Sequence, residues 1–419
     1  MSDIVPVVID CLKYSLDEEA GLACVDGYDG QPKNVTIPNT IAVNGKEYRV
    51  HQINAGALKD NSSLTSITIP NSIEKIGSYA FCWCVPSLTS ITIPEGVKEI
   101  GEGAFSSCLS LASITIPNSI EKIGRYAFYK CMSLTSVEIP NGIEEIGEGA
   151  FQKCTSLRSV VLPNSIKKIG KRAFADCDSL YSVKFSGGIK EIAEEALIEE
   201  EAFADCKRLA SVEIPNGIKE IGAKAFYQCV SLTSVEIPNS VEKIGANAFY
   251  FCFGLASVEI SNGVKEIGKE AFCNCIRLAS VKIPDGVKRI EKGTFSFCGC
   301  LTSVEIPNSV EEIGEDAFDK CSGLTSVTIP NSVKEIGRGA FTHCCGLTSL
   351  VIPNSVEHIR AGVFLGCTSL RSVVIPNSVR TIEESAFVFC RGHITIPKNV
   401  EIKKGLYWFC DYLPKFVRE

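Results

Sequence analysis

The chain has 419 residues, of which 45% are hydrophobic and 22% are charged, and its formal net charge is −7. This acidic balance argues against nucleic-acid binding, because proteins of that class carry a basic face or a pI above about 9. No apolar run approaches the roughly 18 residues that a membrane-spanning helix needs, so we predict no membrane insertion.

The N-terminal region has no pattern typical of a secretory signal peptide, but it has a clear pattern for a β-hairpin. The start, "MSDIVPVVIDCLKYSLDEE", has neither a basic region nor a continuous apolar stretch, so it does not resemble a secretory signal peptide. Further along, "VNGKEY" predicts a β-hairpin, because Asn-Gly between alternating residues favours a tight turn with positive φ angles.

Most of the remaining chain is one segment repeated with a step of 23 residues. The step is broken twice, by one extra residue near Pro86 and by six extra residues in "EIAEEALIEEEAF". A cysteine follows each marker phenylalanine by three residues, from Cys84 to Cys390. The fourteen markers are Phe81, Phe105, Phe128, Phe151, Phe174, Phe203, Phe226, Phe249, Phe272, Phe295, Phe318, Phe341, Phe364 and Phe387. A fixed period of this length is the signature of a repeat architecture.

Degraded copies flank this array. Leu58 and Asn61 take the phenylalanine and cysteine positions in an earlier copy, and Tyr407 and Cys410 take them in a last one.

One copy divides into a strand, a turn and a return. In "LTSVEIP", Leu232, Val235 and Ile237 alternate with polar residues and face inward, and Pro238 ends the strand because it has no N–H for a ladder. The later apolar residues return at mixed three-to-four spacing, which predicts a short helical or 3₁₀ return. These residues are Val241, Ile244, Ala248, Phe249 and Cys252.

Glycine usually follows the inward isoleucine of the return, as Gly245 does. Four copies have Ala193, Glu291, Arg360 or Glu383 there instead, so a positive φ is not required at this position.

A single copy cannot bury its apolar face, so stacked copies must form one continuous core, a parallel repeat solenoid. Fifteen of the 21 cysteines, counting Cys410, lie on the ladder, where a free thiol packs as a small buried hydrophobe. The other six are Cys11, Cys24, Cys82, Cys273, Cys300 and Cys345. We predict structural free thiols and no zinc site, because no CxxC pair has a matching second half. Many unpaired thiols suit a reducing compartment.

The six-residue insertion is the largest break in regularity. The stretch Glu191–Glu201 resembles a partial duplication of "EEAF" and predicts an extra helical turn. Loops grafted on repeats often carry binding, so Glu194, Glu195, Glu199 and Glu200 form a candidate insertion site. The alternative is a tolerated slip in repeat copying.

The outward columns of the predicted sheet give the main candidate binding surface. One column is almost pure serine, from Ser66 to Ser372. The neighbouring columns vary and contain acidic, basic and anchor-type side chains, which could dock a partner with a basic segment. The candidates are Arg158, Tyr181, Lys184, Glu213, Glu236, Glu259, Lys282 and Glu305. The alternative is repeat drift on a solvated face.

Catalysis has no support in the sequence. The four histidines are His51, His343, His358 and His393, and His343 and His358 occupy different positions of successive copies, so we do not expect them to converge. There is no phosphate-binding glycine loop and no GxSxG. We therefore predict no enzyme activity, no metal and no cofactor.

The repeat "LTSVEIPNSVEKIGANAFYFC" resembles the BspA-type leucine-rich repeat, with the pattern LxxVxIPxxVxxIGxxAFxxC. The resemblance implies a right-handed leucine-rich-repeat arc with a parallel β-sheet on the concave face and short helical or 3₁₀ returns. It implies an N-terminal cap at 1–60, with Val35-Thr36-Ile37-Pro38 as the first strand, and an array at 61–392. We interpret 393–419, with Trp408, Phe409 and Phe416, as a C-terminal cap; the alternative is a dimer contact.

Two function hypotheses follow. The first is a non-catalytic protein that recognises or adheres to a protein partner through the concave sheet. The second is a structural protein that self-associates through its ends, including the C-terminal cap. The thiols and the start of the chain predict a cytoplasmic location; the alternative is the cell surface, where some members of the family act.

Overall fold

The computed structural model describes residues 7–185, 191–403 and 415–418. The chain forms two compact units, Met1–Pro215 and Asn216–Glu419. Each unit is a solenoid of stacked copies whose strands pair in parallel and in register, so the predicted repeat solenoid is confirmed.

The first unit begins with a mixed sheet that precedes the regular copies. Its strands are β1 Val7–Ile9, β2 Leu12–Asp17, β3 Leu22–Tyr28, β4 Asn34–Thr36, β5 Thr40–Val43 and β6 Lys46–Ile53. The predicted hairpin is confirmed, because β5 pairs antiparallel with β6 around Asn44 and Gly45, which have φ angles of 51° and 78°. The predicted first strand is also confirmed: Val35 pairs with Ile67 of the next copy.

The first strand column of each unit contains the strands predicted from the alternating pattern. In the first unit these are β7 Ser66–Thr68, β9 Ser90–Thr92, β11 Ser113–Thr115, β13 Ser136–Glu138, β15 Ser159–Leu162, β17 Ser182–Phe185 and β19 Ser211–Val212. In the second unit they are β21 Ser234–Ile237, β23 Ser257–Ile260, β25 Ser280–Lys282, β27 Ser303–Glu305, β29 Ser326–Thr328, β31 Ser349–Val351, β33 Ser372–Val374, β35 His393–Ile396 and β37 Lys415–Arg418.

A second strand column follows each turn, where the sequence pattern had predicted a helical return. In the first unit it contains β8 Lys75–Ile76, β10 Glu99–Ile100, β12 Lys122–Ile123, β14 Glu145–Ile146, β16 Lys168–Ile169 and β18 Glu191–Ile198. In the second unit it contains β20 Asn216–Ile221, β22 Lys243–Ile244, β24 Glu266–Ile267, β26 Arg289–Ile290, β28 Glu312–Ile313, β30 Glu335–Ile336, β32 His358–Ile359, β34 Thr381–Ile382 and β36 Glu401–Ile402.

The prediction of helical returns is therefore wrong. Ile244, expected on a helical segment, pairs with Ile221 and Ile267 in a parallel ladder, and no helix is present in the described residues. The reason is that the hydrogen-bond partners of this segment lie 23 residues away in neighbouring copies, where the spacing within one copy gives no sign of them.

The remaining part of each copy is a series of turns around the marker phenylalanine. The N–H groups of Asn247, Phe249 and Phe251 donate to carbonyl groups of the next copy, while that of Ala248 donates to the carbonyl three residues earlier. Asn247 and Phe251 have φ angles of 57° and 60°, and the same two positions have positive φ in all fourteen copies. Every second N–H in this segment thus points to the neighbouring copy, and the left-handed residues Asn247 and Phe251 lie on either side of Phe249. These inter-copy bonds offset the strain of about 1 kcal/mol at each non-glycine left-handed residue.

The glycine that most copies have in the return is favoured by crowding rather than by its φ angle. A Cβ at Gly268 would lie 2.5 Å from the backbone N of Ala246 in the preceding copy, which is too close for any real Cβ. Gly268 does not have a positive φ. The prediction that a positive φ is not obligatory here is confirmed.

The core of each unit contains a stack of phenylalanine rings. Neighbouring centroids are 5.0–5.4 Å apart from Phe81 to Phe203 and 5.2–5.7 Å apart from Phe226 to Phe387, with nearly parallel planes. The rings from Phe81 to Phe318 are fully buried.

The cysteine ladder has a specific hydrogen-bonding role in addition to its packing role. The Cys252 Sγ donates to the carbonyl of Phe226 in the preceding copy at 3.2 Å, and the Cys229 N–H donates to that same carbonyl. Each such carbonyl thus uses both lone pairs. Burial raises the pKa of the Cys84 and Cys154 thiols to about 12, which keeps their donor protons in place at neutral pH. The predicted structural thiols are free and buried along the ladder.

The degraded first copy keeps this register. Leu58 N–H donates to the carbonyl of Ala80, as the marker phenylalanines do in later copies. Asn61 is fully buried in the cysteine position, and its Nδ2 donates to the carbonyl of Pro32 at 3.2 Å. An amide N–H thus takes the place of the thiol donor. Tyr407 and Cys410, assigned to the last copy, lie outside the described residues.

The insertion has a different register from the predicted one. Ile198 pairs with Ile169, and Glu199 N–H donates to the carbonyl of Ile169, the bond that glycine makes in neighbouring copies. Glu199 therefore takes the glycine position that the sequence pattern had assigned to Ala193. The expected extra helical turn is wrong as well, because these residues form the strand β18.

Candidate functional site

The serine column lies on the outer side of the first strand column, a surface that we call the serine face. Its serines are exposed except Ser159, which is half-buried, and Ser182, which is buried. The strands of this column pair in short parallel ladders, such as β15 with β17 and β21 with β23, and within these ladders a partner would meet side chains.

Four of the predicted site residues lie on the serine face of the first unit. Tyr181 is 53% exposed, and its N–H donates to the carbonyl of Arg158 in the preceding copy at 2.9 Å. Lys184 pairs in register with Val161, which is also exposed. Glu213 is exposed one copy further on. The structure therefore brings Arg158 and Tyr181 into adjacent copies as expected.

The other four lie on the serine face of the second unit. Glu236 pairs in register with Glu259, and Lys282 pairs in register with Glu305. All four side chains are exposed. Within the described part of the chain, no ion pair involves Glu236 or Glu259, so this pair of like charges is uncompensated by a direct contact.

An apolar pair lies further along the same face of the second unit. Val351 and Val374 occupy the column of Glu236 and Glu259, and their side chains are 71% and 68% exposed. Exposed apolar side chains on a rigid, paired sheet are typical of interaction surfaces when they form a patch. The serine face of the second unit thus changes from acidic to apolar along its length.

The outer side of the second strand column carries a different pattern that the sequence analysis missed. We call it the ladder face. Lysine or arginine and glutamate alternate between neighbouring copies and form ion pairs, such as Lys168 with Glu145 at 3.2 Å in the first unit and Arg289 with Glu312 at 2.6 Å in the second. The sequence does show the charge alternating in sign between copies at this position of the repeat. It was missed because a helical return would not place that position of one copy next to the same position of the next.

The insertion glutamates are used in contacts within the chain. The Glu199 carboxylate accepts a hydrogen bond from the backbone N–H of Lys171 at 3.0 Å and pairs with Lys168 at 3.3 Å. Glu200 pairs with the Lys171 ammonium at 2.7 Å. The side chains of Glu194 and Glu195 lie outside the described residues. Glu199 and Glu200 thus bind the preceding copy, which argues against an open acidic site there.

His343 and His358 do not converge on a common site. His343 lies in a turn, 3.8 Å from Asp319, and His358 lies in the second strand column and contacts Thr381 at 2.8 Å. No group of three or more metal-ligating side chains is found in residues 7–185, 191–403 and 415–418. Across the same residues, no helix has the length and apolar character to cross a membrane.

Comparisons with known proteins place this architecture in a family. The family model described as "BspA type Leucine rich repeat region (6 copies)" matches residues 51–137, 74–197, 194–301 and 288–413. A leucine-rich repeat protein from Bacteroides ovatus is similar over 99% of both chains, with 31% identity and a TM-score of 0.80.

Two further solved structures are similar over most of their length. A leucine rich cell surface protein from Faecalibacterium prausnitzii is 25% identical, over 99% of this chain and 94% of that chain, with a TM-score of 0.43. The pneumococcal vaccine antigen PcpA is 19% identical, over 96% of this chain and 99% of that chain, with a TM-score of 0.46. No curated protein matches the chain.

Proposed function

The chain belongs to the BspA-type leucine-rich repeat family, and we propose that it is a non-catalytic recognition protein that binds a protein partner through the serine face of its second unit. The observation that carries the proposal is the combination, on the serine face of the second unit, of the uncompensated Glu236–Glu259 pair and the exposed valines Val351 and Val374.

This combination defines the chemistry of the partner. The like charges of Glu236 and Glu259 are mildly unfavourable in the free protein, and a lysine or arginine of a partner would remove that cost. Val351 and Val374 would lose water on contact with an apolar side chain. A segment that carries basic residues towards one end and apolar residues towards the other therefore fits the face.

A non-catalytic role agrees with the state of the thiols. A ladder cysteine recurs in each of the fourteen copies, yet burial raises the pKa of thiols such as Cys108, Cys131 and Cys154, and the thiolate is the reactive form. The proposal requires no cofactor and no metal.

A displayed peptide library tests the proposal, because it presents many combinations of charged and apolar side chains to the protein at once. Selection for binding to the wild-type protein should enrich peptides that combine lysine or arginine with apolar residues. The double variant Val351→Asp/Val374→Asp should lose these peptides, because each aspartate places a charge where an apolar side chain must dock. Val161→Asp is the matched control, since it makes the same change in the same column of the first unit.

A second pair of variants tests the charges. Glu236→Gln/Glu259→Gln should weaken the binding of the selected basic peptides by several-fold, and the binding to the wild-type protein should fall strongly with added salt. Glu311→Gln, on the ladder face, should leave them unchanged. Enrichment of acidic peptides, or equal binding by all variants, would exclude the serine face of the second unit as the site.

Self-association is a second candidate, favoured by the position of β37. This strand is the last in its sheet, and it pairs with β35 through Ile394 and Phe416. Val417 is 45% exposed on it. Trp408 and Phe409, the aromatic residues expected to contribute, lie outside the described residues. Light scattering over a hundredfold range of concentration should give a constant monomer mass under the first proposal and a growing mass under this one.

We place the protein in a reducing compartment such as the cytoplasm, with the cell surface as the alternative. The support is the set of free thiols, which includes the exposed Cys300 and the half-buried Cys345. Mass spectrometry after alkylation of protein from its native source would find these two thiols free in a reducing compartment and oxidised at an oxidising surface.

A further inference from the structure

A groove of about 870 Å³ lies on the ladder face of the second unit, at the C-terminal ends of strands β20, β22, β24 and β26. Its lining includes the small residues Gly245, Ala246 and Gly268 and three glutamates. The lining also includes the exposed cations Lys243, Lys265, Lys269, Lys288 and Arg289. We call it the lysine groove. It has two more positive than negative side chains, although the chain as a whole has a net charge of −7.

In two copies outside the groove, a carboxylate of the protein itself occupies the equivalent place. In the first unit, Glu199 takes the glycine position, and its carboxylate accepts a hydrogen bond from the Lys171 N–H at 3.0 Å. In the second unit, Glu383 takes that position and accepts from the Ala361 N–H at 3.1 Å. The donor in both cases is the residue after the glycine position of the preceding copy.

A cation completes each of these internal sites. Lys168 lies 3.3 Å from Glu199, and Arg360 lies 3.5 Å from Glu383. Two copies of the repeat therefore use a backbone N–H of the preceding copy and a neighbouring cation to hold one carboxylate. Hydrogen bonds of this charge-assisted kind are stronger than neutral ones.

The lysine groove has the same donors but lacks the carboxylates. Gly245 and Gly268 have no side chain to cover the N–H groups of Ala223 and Ala246 in the preceding copies. Glu291 takes the glycine position of the next copy, but its carboxylate pairs with Arg289 at 3.4 Å. None of the N–H groups of Ala223, Ala246 and Lys269 has an acceptor within the described residues.

Two cations of the lysine groove are also available to pair with a ligand. Lys269 and Lys288 are exposed and make no ion pair within the described part of the unit, whereas Lys243 pairs with Glu220, and Lys265 pairs with Glu242. The free N–H groups recur at the spacing of parallel strands, about 4.8 Å, so three of them span about 10 Å. An extended peptide covers that distance with about three residues.

We propose that the lysine groove binds an acidic peptide segment of a partner, with its carboxylates on the N–H groups of Ala223, Ala246 and Lys269 and its charge compensated by Lys269 and Lys288. The site lies on the ladder face, so it is separate from the serine face of the proposed function. Its ligand has the opposite charge, and either site can exist without the other.

Fluorescence anisotropy with a fluorescein-labelled hexaglutamate peptide tests this site. At about 50 mM salt, where screening is weak, the full-length protein should bind hexaglutamate and leave hexaglutamine unbound. Lys269→Gln/Lys288→Gln should weaken the binding by about fivefold, because two exposed charges are lost. Both side chains are exposed, so folding should be retained. Lys334→Gln is the matched control, since Lys334 pairs with Glu311 on the same face but does not line the groove.

A second variant tests the role of the backbone donors. Gly268→Glu should place an internal carboxylate on the Ala246 N–H, as Glu199 does on Lys171, and should compete with the peptide. Gly268→Ala adds the same crowding without a carboxylate and should bind more tightly than Gly268→Glu. The proposal is overturned if hexaglutamate fails to bind, if the lysine variants match the Lys334→Gln control, or if a single-stranded oligonucleotide binds more tightly than hexaglutamate.

Discussion

Alkaline pH should unfold this protein steeply, because its core contains protonated thiols. Within the described part of the chain, six ladder thiols in each unit have a raised pKa, and burial is the largest cause for all of them except Cys367, for which the neighbouring Cys390 contributes more. For Cys84 and Cys154 the pKa rises from 9.0 to about 12. Between these values the unfolded chain releases a proton that the folded chain keeps, so stability falls as the pH rises.

The size of the effect follows from the pKa difference. A thiol with a pKa of about 9 unfolded and about 12 folded loses about 1.4 kcal/mol of unfolding free energy by pH 10. Six such thiols lose about 8 kcal/mol per unit, which is comparable to the whole stability of a typical domain, about 5–15 kcal/mol. Below pH 8 the thiols are protonated in both states and contribute no pH dependence.

Urea unfolding, followed by far-ultraviolet circular dichroism in the presence of reductant, measures this loss at pH 7, 8.5 and 10. Cys252→Ala should remove about 1.4 kcal/mol of the pH dependence of the second unit. Leu255→Val is the matched control, because it perturbs a buried neighbour that does not titrate and should keep the full dependence. A stability that stays constant from pH 7 to pH 10, or equal slopes for the two variants, would refute buried neutral thiols.

Two further predictions concern the core stack and the insertion. Phe272→Leu should lower the unfolding free energy by about 1–3 kcal/mol, because it removes ring contacts at 5.2 and 5.6 Å. Phe387→Leu removes a single ring contact within the described residues, at 5.3 Å, and should lower it by about half as much. Equal losses of unfolding free energy in urea would show that ring stacking adds nothing to burial. Glu199→Ala should lower the unfolding free energy by about 1–3 kcal/mol, because it leaves the Lys171 N–H without its acceptor. Glu200→Ala breaks only a surface ion pair and should lower it by less than about 1 kcal/mol. The rate of hydrogen exchange at the Lys171 amide should rise in the first variant and stay unchanged in the second.

The fold could be predicted from the sequence wherever a feature repeats within one copy. The alternation around Val235 predicted the first strand column, and the spacing of Phe249 and Cys252 predicted the core. These signals are local, because side chains at a period of two face one side of a strand.

Features that depend on neighbouring copies could not be predicted in the same way. Ile244 lies in a strand of two residues, too short for any periodicity, and its hydrogen bonds go to other copies. The left-handed conformation of Phe251 follows from the inter-copy bond of its N–H, since a bulky aromatic residue does not favour positive φ by itself.

The candidate site shows the same division between local and inter-copy features. The exposed positions of Glu236 and Glu259 followed directly from the strand register. The register of the insertion did not, because the duplicated "EE" segments allowed both Ala193 and Glu199 at the glycine position, and only the pairing of Ile198 with Ile169 distinguishes them. The charges of the ladder face required the second strand column, which the helical interpretation excluded.

The most direct test of the recognition role is carboxyl footprinting of the protein with and without a peptide selected on it. Labelling of Glu236 and Glu259 should fall in the complex, while labelling of Glu242, which pairs with Lys219 and Lys265 on the ladder face, should stay unchanged. Unchanged labelling of Glu236 and Glu259 in a saturated complex would contradict binding through the serine face of the second unit.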